Sequence, residues 1–150
     1  MKIEKISDIY EVLKGYTRKK RLVVAFANDS HSIEAVYMAV KAGLVEGILV
    51  GDTETIQGGC KENGYDESCF KIVHEPNDVR GAETAVEMIR NGEADVIMKG
   101  LVSTDKYMRA ILNKERGLVA PNAILSHVTV MECSSYHKLL TVSDVAVIPC

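Results

Sequence analysis

No apolar run among these 150 residues approaches the roughly 20 that a membrane-spanning helix needs, so no span is expected. Charge of one sign is lacking too. Eighteen Lys and Arg against 21 Asp and Glu leave a net charge of −3, which offers no electrostatic footprint for nucleic acid or an anionic membrane. Arg18 to Arg21 form a short basic run between two predicted elements, read as a solvated junction. The first residues, Met-Lys-Ile-Glu-Lys-Ile, carry charges where a signal peptide would carry its apolar stretch. Cys60, Cys69, Cys133 and Cys150 show neither metal-ligand spacing nor a disulfide framework. They read as reduced, structural thiols of a cytoplasmic protein. The four histidines are too scattered to argue for zinc, so no metal is expected. Walker and dinucleotide glycine patterns are missing, as is a nucleophile elbow, leaving ATP, NAD and serine-hydrolase chemistry without support. There is no repeat, low-complexity run or long linker.

What is present is a domain's worth of core-forming sequence, 47% hydrophobic and 26% charged. It is organised around residues 94–113. Val96 to Met98 form a short apolar run of the buried-strand kind, and Lys99-Gly100 break it. Ser103-Thr104 stand where a helix should begin, and Tyr107, Met108, Ile111 and Leu112 then recur at helical spacing. A strand therefore enters a loop with a cation, a flexible backbone point and two hydroxyls, and the loop enters a helix N-terminus. Unpaired N–H groups and the positive end of the dipole favour an anion there. A phosphate, or the phosphoryl end of an acyl phosphate, is expected on Lys99, Gly100, Ser103 and Thr104. Spacing alone serves a strand end and a helix cap equally well.

Before that stretch the pattern alternates. A helix with Ile6, Ile9, Leu13 and Tyr16 on one face is expected to pack beside the sheet. A first strand follows at Arg21 to Ala27, capped through Asn28-Asp29-Ser30 into a helix that Gly43 ends. Gly47 to Gly51 and Phe70 to His74 are further strands. Between them lies a helix over Thr53 to Asn63 that carries an unfavourable Gly58-Gly59 pair. Pro76-Asn77-Asp78 opens another helix, with Ala82, Ala85, Val86 and Ile89 inward. The order αβαβαβαβα calls for an α/β fold: a mainly parallel sheet, right-handed crossovers and helices on both faces. Ligands of such sheets bind beyond the carboxyl ends of the strands. Asn28 to His31, His74-Glu75 and Lys99 to Thr104 are the polar strand ends expected to meet in one cleft. After Gly117 and Pro121 the pattern changes to two strand-like runs, Ala123 to Cys133 and Leu139 to Ile148, joined as a hairpin by Ser134 to Lys138. Ser126 and His127 would then point to opposite faces of one strand, so at most one of the pair addresses the cleft, and from the residues alone a buried histidine satisfied by a backbone carbonyl is the favoured reading. The run stops at Pro149-Cys150 without a closing helix, and a longer chain or a covering partner is expected there.

Several strings resemble one family in the right order: Asn28-Asp29-Ser30-His31-Ser32-Ile33-Glu34-Ala35-Val36, Val50-Gly51-Asp52, Met98 to Thr104, Leu125-Ser126-His127-Val128, and Tyr136 to Asp144. This pattern is similar to the phosphate acetyl/butyryltransferases, most of all to their butyryltransferase branch. The resemblance covers essentially the whole chain but only the N-terminal half of the family's length. It implies a three-layer αβα fold of the isocitrate/isopropylmalate dehydrogenase-like kind, and reversible exchange of an acyl group between CoA and orthophosphate. It also implies a homodimer with acyl-CoA and phosphate as its partners, CoA being a substrate and no cofactor being needed. Ser126 and His127 join Lys99, Gly100, Ser103 and Thr104 as phosphate or substrate contacts, and Asn28 and His31 become CoA contacts. The family's catalytic residues belong to the half that this sequence does not contain. Two other readings stay open. One is a non-catalytic module that binds a small anion or a partner chain. The other is an enzyme of the same fold acting on another acylated or phosphorylated substrate.

Overall fold

The computed structural model describes residues 2–144. Their contacts gather in two units, Arg18–Val119 and the paired segments Met1–Thr17 and Ala120–Cys150. Length alone pointed to one domain.

In the first unit, strands β1 (Lys20–Ala25), β2 (Val45–Gly51), β3 (Phe70–His74) and β4 (Val96–Lys99) form a parallel sheet in the order β3-β2-β1-β4. Helices α2 (Ser30–Lys41), α3 (Thr53–Asn63), α4 (Asp78–Arg90) and α5 (Thr104–Leu112) connect and follow the strands. Period-two alternation divides the apolar strand residues between two cores. Val23, Ala25, Ile48 and Val50 pack with Ala82, Ala85 and Val86 of α4 and Ala110 of α5. On the other face Val24 and Leu49 pack with Ile33 and Val36 of α2 and Ile56 and Cys60 of α3. The three-layer α/β arrangement is thus the expected one. Helix α3 forms over its whole expected length despite Gly58-Gly59. Asp52 caps it by accepting the Thr55 N–H at 2.9 Å and the Thr55 hydroxyl at 2.7 Å, and Ile56 and Cys60 are buried beneath it. Those two bonds hold the Asp52 carboxyl below its usual range. At the amino ends of the strands Arg21 grips Asp95 through Nε at 3.0 Å, Nη2 at 3.2 Å and its own N–H at 2.9 Å. Arg21 is therefore part of an ion pair and not merely a solvated junction.

Two corrections fall in the second unit. Helix α1 (Ile6–Lys14) was expected beside the sheet, but it belongs with β5 (Val128–Met131) and β6 (Leu140–Ser143). Its first N–H, at Ile6, donates to the Glu132 carboxylate at 2.8 Å, and none of its residues is buried. The strands pair antiparallel as expected, Val128 opposite Ser143 and Met131 opposite Leu140, but each is shorter than its apolar run. The stretch from Ala123 to His127 is loop, and strand pairing begins only at Val128. Residues 145–148 of the second expected strand lie outside the described residues.

Candidate functional site

The strand order reverses between β1 and β4, which is where a parallel sheet opens a crevice at its carboxyl ends. Ala25 is in register with Lys99, and the pairing continues past both strands. Gly100 N–H donates to Ala25 O at 3.0 Å and Leu101 N–H to Phe26 O at 2.8 Å. Only glycine fits at position 100. A Cβ there would stand 2.3 Å from Phe26 O and 2.9 Å from Ala25 O, both of them backbone atoms. Phe26 itself is left-handed, with φ +63°, a conformation that disfavours a bulky residue by about 1–2 kcal/mol. This turn ends β1 two residues before the expected boundary, and it seats the Phe26 ring against Gly81 in the first turn of α4. No sequence signal marked it, since Phe26 between two alanines reads as more strand.

Beyond Gly100 the loop folds on Lys99. Its ammonium donates to Val102 O at 2.9 Å and Gly100 O at 3.3 Å, which leaves one of its three protons uncommitted by these bonds. Val102 is buried, whereas Leu101, Ser103 and Thr104 are exposed. Ser103 caps α5 by accepting the Lys106 N–H at 3.3 Å. Thr104 and Asp105 follow as the first helical residues, whose N–H groups have no intrahelical acceptor. The helix is anchored behind by Tyr107, whose hydroxyl donates to Ile97 O at 3.4 Å and whose burial pushes its phenol pKa up. Lys106 Nζ pairs with Asp78 at the start of α4, 2.7 Å away, tying two helix N-termini together and holding the Asp78 carboxyl low.

Beside this junction Asn28 spends its side chain on structure. Its Oδ1 accepts the Asp52 N–H at 2.9 Å, across a Gly51 whose Cβ would lie 2.3 Å from that oxygen. Asp29 caps α2 through Oδ1, at 2.8 Å from the Ser32 N–H, and its Oδ2 is buried without a partner among the described residues. His31 is exposed in the first turn of α2. The third expected strand end stands at the same carboxyl edge, and Glu75 lines one cavity with Asp105 and Lys106 of α5. β3 lies at the far edge of the sheet, where His74 Nδ1 receives the Thr53 N–H at 3.3 Å and sits 3.0 Å from the Thr53 hydroxyl. Glu75 turns to Arg80 Nε at 3.0 Å.

Ser126 and His127 belong to the other unit. They precede β5, so the argument from opposite strand faces does not apply to them. Asp144 holds both: its Oδ1 accepts Ser126 Oγ–H at 2.8 Å and the His127 N–H at 3.3 Å, while its own N–H donates to His127 O at 2.7 Å. His127 Nε2 lies 3.3 Å from the Thr129 hydroxyl, and its buried Nδ1 has no partner among the described residues. Sequence reading missed Asp144 in this role, because an apolar run does not reveal which residue closes an antiparallel register. Cys133, expected to be structural, is exposed, and its thiol is held low by Ser135. Among the described residues no group of three His, Cys, Asp or Glu could hold a metal ion, and no helix is long and apolar enough to cross a membrane.

Residues 80–150 match the profile of the phosphate acetyl/butaryl transferase family. The phosphate butyryltransferase of Clostridium acetobutylicum is 41% identical over 96% of this chain and 47% of its own length. Over nearly its whole length the chain is similar to a member of that family. The phosphate acetyltransferase of Thermotoga maritima is 33% identical over 93% of this chain and 46% of its own. A crystal structure of a phosphotransacetylase from Streptococcus pyogenes superposes with a TM-score of 0.68 at 18% identity, over 91% of this chain and 50% of that one, a likeness of fold. The chain thus spans about half the length of the relatives it matches.

Proposed function

We propose that the chain is the phosphate-handling part of an acyltransferase that exchanges a butyryl group between CoA and orthophosphate. The observation that carries this reading is the β4–α5 junction. It presents the Ser103 and Thr104 side chains, the N–H groups of Thr104 and Asp105, and the Lys99 ammonium at the switch in strand order. The similarity to phosphate butyryltransferase supports the chemistry. In one direction the CoA thiolate attacks the carbonyl of butyryl phosphate and phosphate leaves; in the other, phosphate attacks the thioester. Both pass through a tetrahedral oxyanion, and positioning plus charge stabilisation do most of the work. In this chain the α5 N-terminus and Lys99 hold the phosphate dianion, and the neighbouring β1 end, with Asn28 and His31, lies on the side open to CoA. The group that deprotonates the thiol is not among the residues assigned here.

The test is release of free CoA thiol from butyryl-CoA by the chain, alone and complemented with the C-terminal half of the Clostridium acetobutylicum relative. Release that requires phosphate and falls about tenfold or more in Lys99→Ala supports the reading. Complemented chain that releases no thiol sinks it.

A further inference from the structure

We propose that Asp144 is a positioning residue that turns Ser126 into a hydrogen-bond acceptor for an amide N–H of the pantetheine arm. This rests on the acyl-CoA reading above and assigns a part of the substrate to a residue pair. A hydroxyl has one proton and two lone pairs, and a carboxylate only accepts. With its proton committed to Asp144 Oδ1 at 2.8 Å, Ser126 presents lone pairs to whatever approaches it. The same carboxylate oxygen takes the His127 N–H, and the Asp144 N–H returns a bond to His127 O, so backbone and side chain are held together. Asp144 does this in a left-handed conformation, φ +57°, which aspartate tolerates better than most residues.

Such an oxygen, backed by a carboxylate charge, repels a phosphate dianion. A neutral N–H donor suits it. Ser126 is exposed, and two residues further on Val128 and Val130 begin a strip on one face of β5, 59% and 46% exposed. A polar acceptor followed by an apolar strip matches an arm that alternates amides with methylenes. Ser126 is therefore assigned to the thiol substrate, where the sequence had left phosphate and substrate open.

The experiment titrates the chain with pantetheine, which carries no phosphate, and separately with inorganic phosphate. Ser126→Ala and Asp144→Ala should each weaken pantetheine about threefold to tenfold, the loss of one hydrogen bond, and the double variant no further. Phosphate affinity should stay unchanged, and Asp144→Asn, which keeps an accepting Oδ1, should recover most of the loss. If Asp144→Ala fails to fold, Ser126→Ala decides alone, since it removes one exposed oxygen. Unchanged pantetheine affinity, no pantetheine binding by the parent chain, or a fall in phosphate affinity overturns the assignment. Pantetheine binding that behaves as expected, without thiol release by the complemented chain, overturns acyl exchange and leaves the placement of the arm standing.

Discussion

The two units of this chain are built on different terms. Within Arg18–Val119 lies every buried apolar side chain of the described residues, two cores divided by one sheet. Among residues 2–17 and 120–144 no side chain is buried, and Ile124, Val128 and Val130 stand in solvent. There the order comes from a short antiparallel ladder and from carboxylates that catch backbone N–H groups, Glu132 on Ile6 and Asp144 on His127. A two-stranded ladder is marginal by itself. The lesson is that burial fixes the β4–α5 junction, whereas polar clamps place Ser126 and His127.

The largest expected effect sharpens that contrast. Leu49→Ala, in a fully buried position, should lower unfolding free energy by about 2–5 kcal/mol in urea titrations. Ile124→Ala, at 84% exposure, should change it by no more than about 0.5 kcal/mol. Comparable losses would break the comparison. Gly100→Ala comes next. It forces a methyl against the Phe26 and Ala25 carbonyls and should destabilise by about 1–3 kcal/mol, with loss of exchange protection at the Leu101 amide. Gly58→Ala meets nothing within 4 Å on α3 and should stabilise the same unit by about 1 kcal/mol.

The smallest effect is a pH dependence. The Arg21 guanidinium, then the Arg21 N–H, hold Asp95 well below the usual carboxylate range. Its contribution is whole above the unfolded pKa of about 3.9 and is lost as pH falls through the folded value. Melting temperatures from pH 7 to pH 2 should show wild type above Asp95→Asn by a constant margin down to about pH 5, closing in acid. A margin that widens in acid would contradict the ion pair.

Much of the first unit was legible because its periodicities are local. Thr53–Asn63 and Phe70–His74 form as read, and Ser103 caps the helix whose start it marked. The same reading failed where geometry depends on distant partners. Nothing in Ala25-Phe26-Ala27 announces a left-handed turn, and β3's place at the sheet edge follows from pairing and not from composition. The apolar run from Ala123 promised a strand through Ser126, yet only residues from Val128 onward find ladder partners. Asp144 was visible in the string that resembles the family, but its hold on Ser126 spans 18 residues and has no local signature.

The most direct measurement is a phosphate titration of the chain followed through its backbone amide resonances. Saturable shifts at Thr104 and Asp105, with affinity about tenfold weaker in Lys99→Ala, are what an anion seated on the α5 N-terminus predicts. Resonances that stay still there, or that move only along the Arg90 and Arg116 groove between α4 and α5, would contradict it.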